Sequence, residues 1–200
     1  MGQRGQKKNY IQKITSKDEK MLQAFRACGY ITRDMLMRNL TMSNHRVENF
    51  QRDGYIEKII FMDAKQNKTI HTFRLTPKGK NYLEQNLNLS NSYKSTSISH
   101  DLEVAKIYMC CSETERATWK TETDLRNLYN EKLNYMRENH YAEYNRLLEY
   151  LQNNEISCID GSYIRDETGV EMSAEVVTDS YGREEIEAKV TFCHIMNIYQ

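Results

Sequence analysis

Residues 43–52 set Asn44, His45, Arg46, Asn49 and Arg52 around two apolar residues, Val47 and Phe50. At about 100° per residue, the apolar pair shares one side of a helix. His45, Asn49 and Arg52 then point away from that side, with Asn44 and Arg46 on its flanks. Amide, imidazole and guanidinium groups on such a face can bond to base edges in a major groove and to the phosphates beside it. Any solvated helix carries polar residues, so the meaning of this face depends on what surrounds it. Further along, Lys65 and Lys68 sit in a polar stretch between two apolar runs, where a turn would present both cations to phosphates.

Other reactive residues suggest less. His100 stands beside Asp101, but sequence neighbours on a helix do not face each other. A capping or buried structural histidine is the reading there. Cys28, Cys110, Cys111, Cys158 and Cys193 form no C-x-x-C pair. They read as mostly buried thiols, with adjacent Cys110 and Cys111 on opposite faces of a helix. No His or further Cys lies at metal-ligand spacing near Cys110 and Cys111.

The elements that must position the polar face are legible around it. Ser16 with Glu19 fits a capping box, followed by Met21, Leu22, Phe25 and Cys28 as one apolar stripe ending near Gly29. Tyr30-Ile31 is a short extended link. Thr32 caps a second helix, 33–39, with Met35, Leu36 and Leu40 inward. Residues 40–42 turn, and Ser43 caps the third helix, a helix-turn-helix arrangement. Residues 55–62 and 69–75 have strand composition around the polar turn. Thr76 and Pro77 then start a fourth helix as N-cap and N1.

Charge separates the chain into halves. The whole carries 28 Lys and Arg against 28 Asp and Glu. Residues 1–89 hold 17 against 8, a net +9, and residues 90–200 hold 11 against 20, a net −9. A basic module for a polyanion joined to an acidic module with another task is the expectation. The Asn- and Ser-rich stretch 86–97 marks the boundary. We therefore expect domains at 1–88 and 99–200, with a linker at 89–98. No apolar run approaches the roughly 18 residues of a membrane span. The N-terminus has no signal-peptide pattern, and Gln6 stands where myristoylation needs Ser or Thr. A cytoplasmic protein with no membrane partner is expected.

The order helix, helix, helix, hairpin, helix over residues 15–87 resembles the winged helix superfamily. Asp53-Gly54-Tyr55-Ile56 and Arg74-Leu75-Thr76-Pro77-Lys78-Gly79 look like that superfamily's phrases after the recognition helix and after the wing. Winged domains bind DNA, RNA or protein, and the +9 charge favours double-stranded DNA.

In the second half, 99–110 reads as a helix with Leu102, Ala105 and Met109 or Cys110 inward. Residues 117–122 read as a short strand, and 124–150 as a helix with Leu125, Leu128, Leu133, Leu147, Leu148 and Leu151 on its core side. Residues 157–165 and 170–178 form a hairpin around 166–169. The last helix, 183–199, turns Ile186, Val190, Cys193 and Ile195 inward. The fold class is α+β.

The phrases His100-Asp101-Leu102-Glu103-Val104, Trp119-Lys120-Thr121-Glu122, Ile159-Asp160-Gly161-Ser162-Tyr163-Ile164 and the acidic run from Glu171 to Thr178 follow the winged domain. In that order they resemble the replication-relaxation proteins of plasmids and conjugative elements. The resemblance implies a restriction-endonuclease-like core, in which Glu122, Asp160 and Glu175 stand at acidic positions that hold magnesium or manganese. Val177 occupies the place of the lysine such a core uses, and Ile159 that of the proline. A degenerate core without cofactor is thus expected, with metal-dependent nuclease activity as the alternative.

The function these features imply is sequence-specific DNA binding in replication, mobilisation or transcription control of a mobile element. The acidic domain would serve a homodimer or protein partners in a replication or transfer complex. A chromosomal transcription regulator with a C-terminal sensor is the remaining alternative.

Overall fold

The computed structural model describes residues 9–63, 67–93, 97–178 and 181–200. The chain divides between Ser90 and Asn91 into two compact units, a point inside the stretch expected to be a linker. Both units mix helices with a small antiparallel sheet, so the chain is α+β.

The first unit runs α1 (Ser16–Cys28), β1 (Ile31–Thr32), α2 (Arg33–Arg38), α3 (Asn44–Arg52), β2 (Ile56–Asp63), β3 (Lys68–Leu75) and α4 (Pro77–Leu87). Side-chain oxygens start its helices by capturing amides that have no partner within the helix. Thr32 accepts from the Met35 amide, Ser43 from Arg46 and Thr76 from Gly79. The cap of α1 lies one residue before the expected Ser16: Thr15 and Asp18 close the box. Gly29 ends α1 at φ 78°, a left-handed backbone angle that favours glycine.

The extended link at Tyr30 and Ile31 does more than connect. Ile31 pairs with Phe73, making a three-stranded sheet of order β1-β3-β2. The β2–β3 register runs from Ile56 opposite Leu75 to Asp63 opposite Lys68. Met21, Leu22, Phe25 and Cys28 from α1 meet Leu36, Val47, Phe50, Ile56, Phe73 and Leu83 in the core. Met35 and Leu40, expected inward, are only half-buried. At Gly79 a Cβ would run into the Tyr55 carbonyl, so glycine lets α4 close against the turn after α3. Because Ser43 alone caps α3, Ser43→Ala should destabilise this unit by about 1 kcal/mol. Denaturant unfolding checks this, and an unchanged midpoint would count against the cap.

The second unit runs α5 (Ile98–Cys110), α6 (Glu113–Ala117), β4 (Lys120–Thr121), α7 (Glu122–Asn139), α8 (Tyr141–Gln152), β5 (Gly161–Ile164), β6 (Glu171–Ala174) and α9 (Arg183–Met196). Its antiparallel sheet has the order β4-β5-β6, and Tyr199 adds an isolated parallel bridge to Met172. Leu125, Cys158, Ile159, Phe192, Cys193 and Ile198 form a core cluster. Trp119 stacks on Tyr163 at 6.0 Å between centroids, and Tyr108 meets it edge-on at 5.1 Å.

Several expectations for this unit need correction. The strand at 117–122 shrinks to two residues because Ser112 and Thr121 each cap a helix through a capping box. The helix expected over 124–150 breaks at His140, whose φ of −138° is not helical. Of its expected core leucines only Leu125 is buried. Leu133, Leu147 and Leu151 are half-buried, and Leu128 and Leu148 face solvent. On α9 the buried residues are Ala188, Phe192 and Cys193, while Ile186 and Val190 are exposed. The large Phe192 ring, seated against Tyr129, sets which side of that helix turns inward. Cys110 is exposed and Cys111 buried, but only Cys110 is helical: Cys111 follows α5 as its extended C-cap, so the expected pair of helix positions needs correction. Among the described residues no helix is long and apolar enough to cross a membrane.

Candidate functional site

Two places gather polar side chains beyond what packing requires, one in each unit. In the first, α3 presents Asn44, His45, Gln51 and Arg52 to solvent. Gln51 escaped the sequence reading, although it lies seven residues after Asn44 and so on the same stripe. Arg33 Nη1 donates to Asn44 Oδ1 at 3.2 Å and stands 3.5 Å from Glu48, tying the start of α2 to α3. The Arg52 guanidinium lies over the Tyr10 ring at 5.3 Å. Tyr10 is itself fixed, since its amide and that of Ile11 donate to the Asp53 carboxylate at 3.1 and 2.6 Å.

Arg46 and Asn49 do not belong to this exposed face. Arg46 donates through Nε and Nη2 to Asp18 at 2.9 and 2.6 Å and through Nη2 to the Lys13 carbonyl. Its guanidinium also covers the Phe50 ring at 5.3 Å. Asn49 is 6% exposed, with Nδ2 3.4 Å from His45 Nδ1. The cause is Asp18: buried on α1, it draws Arg46 inward and shifts the covered arc of α3 from Val47 toward Asn49. Burial alone would raise the Asp18 carboxyl, but the bonds from Arg46 and Thr15 prevail and hold it below its ordinary value.

At the hairpin, Lys68 is exposed at the start of β3. Lys65 lies outside the described residues.

In the second unit, three strand ends converge. Glu122 follows β4, Asp160 precedes β5 and Glu175 follows β6. The Glu122 amide donates to the Asp160 carbonyl at 3.1 Å, and the Asp160 amide to Glu175 Oε2 at 3.0 Å. The Val176 amide donates to Asp160 Oδ2 at 2.9 Å. Lys189 on α9 was missed by the sequence reading. Its Nζ lies 2.8 Å from Glu175 Oε1 and donates to the Cys158 carbonyl at 2.9 Å. A lone lysine between Ala188 and Val190 was the available signal. Tyr181 donates to Glu175 Oε1 at 3.2 Å. On the other side, His100 Nε2 stands 3.3 Å from Asp160 Oδ2, and its Nδ1 3.2 Å from the Tyr93 hydroxyl.

Burial and the neighbouring Asp160 raise the Glu175 carboxyl, against the pull of Lys189. Burial, with Asp160, Asp101, Glu122 and Glu175 around it, pushes the Tyr93 phenol well above its ordinary value. The Cys158 thiol is pushed up to about 12, first by burial and then by Glu122. It is therefore not a nucleophile at neutral pH.

A divalent cation needs several carboxylate oxygens free to turn toward one point. Both oxygens of Glu175 are engaged, Asp160 Oδ2 accepts an amide, and Glu122 holds Arg126 at 2.5 Å. Among the described residues no group of three His, Cys, Asp or Glu is placed to hold a metal. In this arrangement these oxygens hold protein partners, which a metal would have to displace.

Compared with protein-family models, curated proteins and solved structures, the chain matches none.

Proposed function

We propose that the first unit is a winged helix-turn-helix module that binds double-stranded DNA. In this reading α3 enters the major groove and the β2–β3 hairpin lies along the phosphates as a wing. One observation carries it: α3 turns Asn44, His45, Gln51 and Arg52 outward on a half of the chain with net charge +9. Asn44 and His45 lie at the helix N-terminus, the end that reaches base edges in this mode of docking. In this reading the exposed Arg52 and Lys68 make phosphate or base contacts further out. Arg46 and Asn49 support the helix from behind. The biological setting we propose is a mobile element's replication, mobilisation or transcription control, with the site near the element's own origin or promoter.

A gel shift against intergenic DNA flanking the gene tests this reading, and its salt dependence reports phosphate contacts. No binding at low salt to any such fragment would sink it. Arg52→Ala should weaken specific binding by about 1–2 kcal/mol if its fork meets a base. Lys68→Ala should weaken binding to all sequences alike and reduce the salt slope by about one. Identical behaviour of the two variants would mean that α3 is not the reading helix.

A second reading, phosphodiester hydrolysis in the acidic unit, is favoured by Lys189. This lysine supplies beside Glu175 the cation missing at Val177. The β4-β5-β6 sheet, followed by α9 and the parallel bridge at Tyr199, is compatible with a reduced restriction-endonuclease-like core. Supercoiled plasmid with magnesium or manganese is the assay. Nicking that disappears in Glu175→Gln supports hydrolysis, and intact plasmid with both metals removes it.

A further inference from the structure

We propose that the α7–α8 helical hairpin is the surface through which two copies of this chain pair. The inference deepens the DNA-binding reading, on which only its consequence for DNA depends. Leu128 and Tyr135 on α7 are 36% and 58% exposed, and Tyr141 and Leu148 on α8 are 65% and 38% exposed. Each pair is seven residues apart, which brings both members to one stripe of their helix. Apolar stripes repeating every seven residues are the seams along which helices pack into bundles.

These helices also bury few of their residues fully within the chain. Leu125 is the one buried residue of α7, and α8 has none. A helix of 12 residues is marginal in water unless tertiary packing holds it. At about 200 Å² for a large side chain, the four exposures amount to roughly 400 Å² per copy. A stable interface buries about 800 Å² per partner, a little over half of it apolar. Taken together, the two stripes thus expose close to the apolar share of one such interface.

Charge selects the occupant. Residues 126–149 carry four Lys and Arg and four Glu, a net charge of zero, within a half of the chain that is −9. Nucleic acid gains nothing from a neutral surface on an acidic unit, and a basic partner would be drawn elsewhere on it. A second copy brings the same balanced charges and the same stripe, the self-complementarity that a two-fold interface requires.

Light scattering after size exclusion, on the full chain at micromolar concentration without DNA, tests the pairing. The expected mass is twice the 23.7 kDa of one chain. Tyr135→Glu with Tyr141→Glu should return it to one chain, whereas Tyr135→Phe with Tyr141→Phe should leave it paired. Both tyrosines are exposed, so circular dichroism should show the glutamate variant folded; if it is not, Leu148→Arg replaces it. Any other mass for the unsubstituted chain, or a dimer that these substitutions leave intact, overturns the proposal. On DNA carrying two half-sites the glutamate variant should keep its affinity for one half-site and lose joint occupancy of both. A chain that pairs but binds no DNA would end the DNA reading and leave the pairing standing.

Discussion

Arg46→Ala should unfold the first unit more readily by about 3 kcal/mol and, if that unit binds DNA as proposed, weaken binding to every DNA sequence alike. Asp18 is 2% exposed, and its carboxylate accepts from the Thr15 amide and hydroxyl as well as from Arg46. Removing the guanidinium leaves a buried carboxylate without its cation. Breaking a buried pair in this way typically costs about 3–5 kcal/mol. The lower end applies because the Arg46 side chain is 27% exposed and water can partly replace it. Urea unfolding followed by circular dichroism, with amide exchange of α1 as a local readout, measures the loss. Asp18→Asn should recover part of it in the double variant, because no buried charge then remains.

The pH dependence follows from the direction of the Asp18 shift. Its carboxyl is held below its ordinary value, so the stability it contributes is present above the unfolded value of about 3.9 and is lost as pH falls through the folded one. In Arg46→Ala that acid-sensitive contribution should be largely absent. A variant of undiminished stability that has lost discrimination between DNA sequences would instead make Arg46 a base reader.

What the sequence revealed depended on how far each signal reached. Thr32, Ser43 and Thr76 with Pro77 are read correctly as caps because a cap bonds within three residues of itself. Thr15 and Ser16 are adjacent hydroxyl residues, and local signals do not choose between them. Asp18 does, and Arg46, 28 residues away, fixes it. The same pair misleads about Asn49, because Val47 and Phe50 alone put the centre of the covered arc too far from it. In the second unit, leucine periodicity over 124–150 fits a buried helix and an exposed interface helix equally well. Periodicity reports a stripe and says nothing of what covers it.

The acidic centre was legible in part. Glu122, Asp160 and Glu175 were picked out by resemblance, and strand ends of one sheet bring their backbones together. Lys189 lies 14 residues after Glu175, on a helix whose inward side was misjudged. Spacing from Glu175 could not have found it.

Lys189→Met should cost the second unit about 3 kcal/mol at neutral pH, and the deficit should shrink on acidification. Lys189 and Glu175 are both 13% exposed, so the variant leaves Glu175 beside Asp160 with little water and no cation. The Glu175 carboxyl already sits above its ordinary value, raised by burial and Asp160 against the pull of Lys189. A raised carboxyl gives its stability below the unfolded value and loses it as pH rises through the folded one. Without Lys189 the raise is larger, so the loss extends over a wider span toward neutral pH. On acidification Glu175 should become protonated and the deficit should shrink. The single tryptophan, Trp119, is buried in the second unit and reports its unfolding by fluorescence. Glu175→Gln should restore most of the stability of Lys189→Met, because it removes the stranded charge and keeps the shape. A deficit that does not shrink as the pH is lowered, or that the Gln substitution leaves untouched, would show that Lys189 acts by packing. The double variant also separates the two roles of the pair. If the acidic unit hydrolyses phosphodiesters, its fold returns in the double variant and its nicking does not.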